Sequence, residues 1–230
     1  MGQYINKENK TMAANQTAGF GFRQAPTVGS TPATGGQAEY KIKSGLGVGI
    51  FKNNPVSPQH TAGDDGYLQD AAAGTMDDGI TGGAGWATST SNIQKLLGVF
   101  NGAFYIDNST SKPTYANSVA ASTTFAKDYN TGSNDGIGFV NDNPMQEYTT
   151  KCTAAATQAQ LLYTFNPQDG ATAGTSEYGQ STVKLTNTGT ATTAMFRIVR
   201  VANDPANNDN SVVNSNVIVQ MSPSACKSNS

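Results

Sequence analysis

The fold class predicted for this chain is all-β, a barrel or sandwich of short antiparallel strands with an extended N-terminal arm and long polar loops. Three observations predict it. Short runs alternate apolar and polar side chains with a period of two, as half-buried strands do. Turn signals recur between them: Asn54-Pro55, Asp65-Gly66, Asn143-Pro144, Asp169-Gly170, Asn187-Thr-Gly189 and Asp204-Pro205. Helical periodicity is scarce, with Ser91-Asn-Ile-Gln-Lys-Leu-Leu97 as the one stretch able to form a turn or two, a β reading being as good.

Residues 1–36 read as an arm, rich in Gly and Pro and poor in apolar anchors apart from Phe20 and Phe22 beside Arg23. Two aromatics in such a segment either dock on the parent domain or insert into a neighbour. Residues 37–222 form the β-rich domain and 223–230 a tail. Candidate strands are 38–43, 47–51, 66–70, 96–106, 136–141, 146–152, 160–165, 181–186, 194–202 and 215–221. In the first, Tyr40 and Ile42 face one side and Lys41 and Lys43 the other. Gly45, Gly47 and Gly49 then allow the sheet to bend. Phe196-Arg-Ile-Val-Arg-Val201 reads as a central strand. Residues 71–92 and 107–135 are long polar segments, of the kind that is functional or ordered by a partner.

Composition narrows the function. Charged residues are 13% and hydrophobic residues 37% of the 230, so the polar surface is built from uncharged side chains. The net charge of −2 and the scattered basic residues disfavour nucleic acid and anionic membranes as partners. No apolar run approaches the ~20 residues that span a bilayer. Residues 1–20 lack the apolar core of a secretory signal, so synthesis in a cytoplasm is expected. That origin favours buried, free thiols at Cys152 and Cys226 over a bridge.

Nothing in the chain reads as catalytic, and no cofactor or metal is expected. His60 is the one histidine and sits in a polar loop, Ser57-Pro-Gln-His-Thr-Ala-Gly63. Ser109-Thr-Ser-Lys112 has the Ser-x-x-Lys spacing, but that chemistry needs a buried helix start and Pro113 follows at once. Asp64-Asp65 and Asp77-Asp78 are paired acids that a glycosidase or a calcium site would use. In glycine-rich loops they read first as solvated turn acids, and the oxygen-rich Asp204, Asn207, Asn208, Asp209 loop reads the same way. Gly45-Leu-Gly-Val-Gly49 lacks the glycine offset and following helix of a phosphate loop. Trp86, in Gly82-Gly-Ala-Gly-Trp86, is either an interface anchor or packed on its own core.

An ordered set of motifs runs along the chain: Gly21-Phe-Arg23, Asn53-Asn-Pro-Val56, Asp65-Gly-Tyr-Leu68, Leu97-Gly-Val-Phe-Asn-Gly102, Asp142-Asn-Pro144, Arg197-Ile-Val199 and Val217-Ile-Val219. Over residues 19–222 this order resembles the head decoration, or capsid cement, proteins of tailed phages. The chain departs from that pattern at Asn53-Asn54, where Gly-Asp is usual, and in the content of its two long polar segments. The resemblance implies a non-enzymatic virion protein on the outer surface of the capsid. It would bind and bridge major capsid protein subunits and self-associate as a dimer or trimer, with no nucleic-acid or membrane partner. Phe20, Phe22, Arg23 and Trp86 are the interface residues expected on this view. A tail fibre or adhesin that binds surface glycans is the alternative, and a secreted carbohydrate-active enzyme a third reading.

Overall fold

The computed structural model describes residues 14–25, 36–59, 66–71, 96–128, 132–168, 174–175, 178–191, 194–202, 204, 207 and 209–223. They form an all-β structure. From the amino end the strands are β1 (Arg23–Gln24), β2 (Ala38–Ile42), β3 (Ile50–Phe51), β4 (Pro55–Pro58), β5 (Leu68–Asp70), β6 (Gly98–Ile106), β7 (Pro113–Ala116) and β8 (Ser118–Val119). They continue as β9 (Gly136–Asn141), β10 (Glu147–Lys151), β11 (Thr164–Pro167), β12 (Gly174–Thr175), β13 (Gln180–Ser181), β14 (Leu185–Ala191), β15 (Phe196–Val201) and β16 (Asn216–Met221). The only helical turn among the described residues is a single 3-10 turn, Gln158–Gln160.

Two open six-stranded sheets carry the fold, and neither closes into a barrel, so the sandwich form of the expectation is the one observed. The first sheet has the order β1-β10-β16-β15-β11-β14. The second has the order β2-β9-β6-β4-β5, with β7 also paired to β6. Every pairing between named strands is antiparallel. The period of two places each core. Val99 of β6 belongs to the cluster under the first sheet, with Phe22, Tyr148, Phe165, Phe196, Ile198, Val217 and Val219. Its neighbour Phe100 faces the opposite way, into a cluster with Ile42, Val56, Leu68, Val119 and Val140. One side of the second sheet therefore packs toward the first, and the other is closed by the short β3–β8 pair. Each large apolar side chain removed from water here contributes about 1.5–3 kcal/mol before entropy is counted.

The expected strands at 38–43, 96–106, 136–141, 146–152, 194–202 and 215–221 are observed to within a residue or two. β15 is an interior strand as expected, although its outer face carries half-buried Arg197 and Arg200. Arg200 makes a two-pronged ion pair with Glu147 of β10, at 2.9 and 2.6 Å.

Several expectations are corrected. The strand placed at 160–165 begins only at Thr164, because Gln158–Gln160 turns and Leu162 has φ of 69°. Asn187-Thr-Gly189 is no turn but the middle of β14. Asn187 is fully buried there, and its side chain bonds the backbone of Ala154 and Ala155 and the Gln160 amide. The polar segment 107–135 contains β7 and β8. β4 was not expected, since prolines disfavour strands; they stand at its two ends, where a missing N–H costs least. Of the three glycines at 45, 47 and 49, only Gly45 has positive φ (79°), while Gly49 lies against the backbone of Val119 and Ala121. The Ser91–Leu97 turn lies mostly outside the described residues, and Leu96 and Leu97 within it are buried and non-helical.

The largest correction concerns the arm. Residues 14–25 lie against the β-rich domain, and two of them join the first sheet. Arg23 and Gln24 form its edge strand, pairing with Thr149 and Tyr148. The remaining described residue of the expected arm, Gly36, leads into β2, and residues 1–13 and 26–35 lie outside the described residues.

Candidate functional site

The N-terminal segment is held at both ends of its described length. Asn15 donates its side-chain amide to the carbonyls of Asp209 and Val213 at 2.9 and 3.1 Å. The Gly21 N–H bonds the Val183 carbonyl at 3.1 Å, and the Phe22 N–H the Asn53 carbonyl at 2.9 Å. Gly21 has φ of 72°, and a Cβ there would lie 2.5 Å from the Asn53 carbonyl oxygen, so both backbone shape and closeness demand glycine.

The expected interface residues separate. Phe22 is fully buried and stacks on Phe196 with ring centroids 4.2 Å apart. It is a core residue of its own chain, so the expectation that it contacts a partner is corrected: an inward position just before β1 removes it from any outer surface. Phe20 is half-buried and Arg23 exposed, with the Arg23 guanidinium 4.6 Å above the Phe20 ring. These two remain available at the surface as a preformed cation–aromatic pair. Trp86 lies outside the described residues, as do His60, Asp64, Asp65, Asp77, Asp78 and Cys226.

Beneath Phe20 sits a feature not anticipated from the sequence. Lys151 of β10 is 1% exposed. Its ammonium donates to the Gln16 carbonyl at 2.6 Å and the Asn207 Oδ1 at 3.1 Å, and reaches the Asn214 carbonyl at 3.5 Å. It lies 5.8 Å from the centre of the Phe20 ring. Burial, then repulsion from Lys184, pushes its pKa below the ordinary lysine value, against the pull of Asp204. The oxygen-rich loop at 204–209 thus turns oxygens toward a cation supplied by the chain itself. Asn207 Oδ1 also accepts the Gln16 N–H at 2.8 Å, so the same amide ties loop, lysine and N-terminal segment together. A lysine in an alternating strand gives no sign of burial; the Asn-rich loop was the available signal.

The remaining candidates among the described residues do not assemble a reactive centre. Ser109-Thr-Ser-Lys112 is the β6–β7 hairpin turn. Asp107 Oδ1 accepts the N–H groups of Ser109 and Thr110 at 2.8 and 2.7 Å, and the Ser109 hydroxyl bond heads the causes that hold its carboxyl below the usual range. Cys152 is buried and free, its thiol pushed up to about 12 by burial. No group of three or more His, Cys, Asp or Glu that could hold a metal ion occurs among the described residues. No helix among them is long and apolar enough to cross a membrane.

The chain was compared with family models, curated proteins and solved structures, and nothing matches it in any of the three.

Proposed function

We propose that this chain is a non-enzymatic head decoration protein, binding the outside of an assembled phage capsid and bridging major capsid protein subunits. The supporting observation is the meeting of three motifs that lie far apart in sequence. Asn53 of the Asn53-Asn-Pro-Val56 turn accepts the Phe22 N–H on its carbonyl and donates its side chain to the Phe20 carbonyl at 3.3 Å. The same turn is held to the Leu97–Gly102 strand by Asn53 N–H to the Phe100 carbonyl and Phe100 N–H to the Asn54 carbonyl, both 2.8 Å. Asn53 has φ of 71°, a conformation that Gly and Asn both tolerate, which accounts for an Asn where the resembled pattern has Gly. Three of the seven motifs therefore meet at one structural junction, which supports reading them as parts of one fold signature.

On this reading the Phe20–Arg23 pair meets the capsid or the next copy. A planar guanidinium held on an aromatic face binds with little further loss of side-chain freedom. Many copies on one shell stabilise it by mass action and avidity without chemistry. The test is to add wild type and a Phe20→Ala/Arg23→Ala variant to undecorated heads and measure occupancy and heat resistance. Loss of occupancy, about 2–4 kcal/mol for a true anchor, is expected; full occupancy by the variant contradicts the assignment. The glycan-binding reading is favoured by one observation, the exposed Tyr115 and Tyr178 at 76% and 67%. Retention on a glycan surface but not on heads would select it.

A further inference from the structure

A cleft of about 190 Å³ lies where the N-terminal segment, the β3–β4 turn and β6 meet. Phe22, Phe100 and Tyr148 close its inner end and are themselves fully buried. Gln24, Lys52 and Asn101 supply polar groups. The side chains of these three make no hydrogen bond or ion pair within the chain among the described residues. Two details of the backbone add to this. The Ala25 N–H bonds the Glu147 carbonyl, and Gln24 pairs with Tyr148 one step along. Alternation in an antiparallel ladder therefore turns the Gln24 N–H and C=O away from β10, the side on which the Phe22 N–H meets Asn53. Asn101 sits at a bulge, where pairing with β9 steps from Phe100 to Gly102.

Asn141 lines the same cleft and is 1% exposed. Its Oδ1 accepts the Asn143 N–H at 3.2 Å, which leaves Nδ2 a buried donor without a partner among the described residues. No carboxylate lines the cleft among the described residues. A cation and several unused amide donors, with no carboxylate beside them, call for an anionic acceptor. The volume is below the ~300 Å³ at which drug-sized pockets begin, so it suits one residue of a ligand.

We propose that this cleft binds a single carboxylate-bearing residue, with the carboxylate on Lys52 and the amides of Gln24 and Asn101. The inference stands apart from the capsid reading, because a sugar acid and a glutamate residue share this chemistry and either one fits.

The test is a titration of the 15N-labelled full chain at fixed ionic strength with D-glucuronate, with N-acetyl-glutamate methylamide and with neutral D-glucose. Saturable shifts at Gln24, Lys52 and Asn101 are expected for an acid and not for glucose, with a dissociation constant on the order of 1–10 mM for a ligand this small. The tighter acid identifies the source. Lys52→Met should weaken binding by at least about fivefold, and Lys112→Met, on the distant hairpin, should not. Lys52 is tied to Asn117 and Gly179 through its backbone, so the variant keeps its fold bonds; an unchanged spectrum elsewhere checks this, and Asn101→Ser gives the same reading by a second route. Equal shifts with glucose, no saturable shift with either acid up to tens of millimolar, or unweakened binding by both variants would overturn the proposal.

Discussion

The second sheet is made from one stretch of chain, β2 to β9, all within residues 38–141. The first sheet takes most of its strands from residues 147–221 but its edge strand β1 from residues 23–24. One sheet is sequence-local and the other is closed by a segment from the far end of the chain. Long-range closure carries the greater entropy cost, so the bonds of the N-terminal segment must offset it. They are of three kinds: Phe22 in the core, Arg23–Gln24 in the ladder, and Gln16 on the Lys151 ammonium. The difference teaches that the N-terminal segment is part of the scaffold of the first sheet, and that only its outer side is free to serve a partner.

Phe22→Ala should break the contrast most strongly. It removes a fully buried ring stacked on Phe196, at a cost of about 3–5 kcal/mol. The loss should fall on the first sheet. In a Cys226→Ser background, Cys152, buried in that sheet's core, should become reactive to a thiol reagent at a denaturant concentration where β9 amides are still protected. Simultaneous loss of both sheets would erase the distinction. Next is Gly21→Ala, which forces a side chain into positive φ and against the Asn53 carbonyl. About 1–3 kcal/mol is expected from denaturant midpoints.

A smaller effect sharpens the comparison from the other side. Asp135, partly desolvated, is nonetheless held below the ordinary carboxylate pKa by the Ser133 hydroxyl, Lys41 and Tyr67, which link β2 to the residue before β5. A depressed folded pKa gives stability that is present above the unfolded value near 3.8 and lost as pH falls through the folded one. Asp135→Asn should cost less than about 1 kcal/mol at neutral pH and flatten the acid limb for the second sheet alone. The smallest effect belongs to Phe20→Ala/Arg23→Ala, whose stability should stay within about 1 kcal/mol of wild type while occupancy on heads falls.

How much was legible in the sequence follows the same division. Strands with a buried face on a period of two, such as 136–141 and 215–221, were readable because burial alone decides them. β4 was hidden by its prolines, and β1 by its shortness: two exposed residues carry no periodicity, and only pairing with β10 makes them a strand. Asn187 was misread, and the burial of Lys151 passed over, for a shared reason. Polar side chains signal turns or solvent unless a tertiary partner satisfies them, and their partners are over twenty residues away at least. At the candidate site, Phe20 and Phe22 look alike in sequence. The ladder register that puts one ring inside and leaves the other under Arg23 is not written locally.

The most direct test is hydrogen exchange on the free full-length protein, read at Gly21, Phe22 and Ala25. Their N–H groups bond Val183, Asn53 and Glu147. Protection approaching that of β16 amides is the expected result, since these residues close the same sheet. Exchange at the rate of an unstructured chain, with β16 still protected, would contradict a structural N-terminal segment and return it to the role of a free arm.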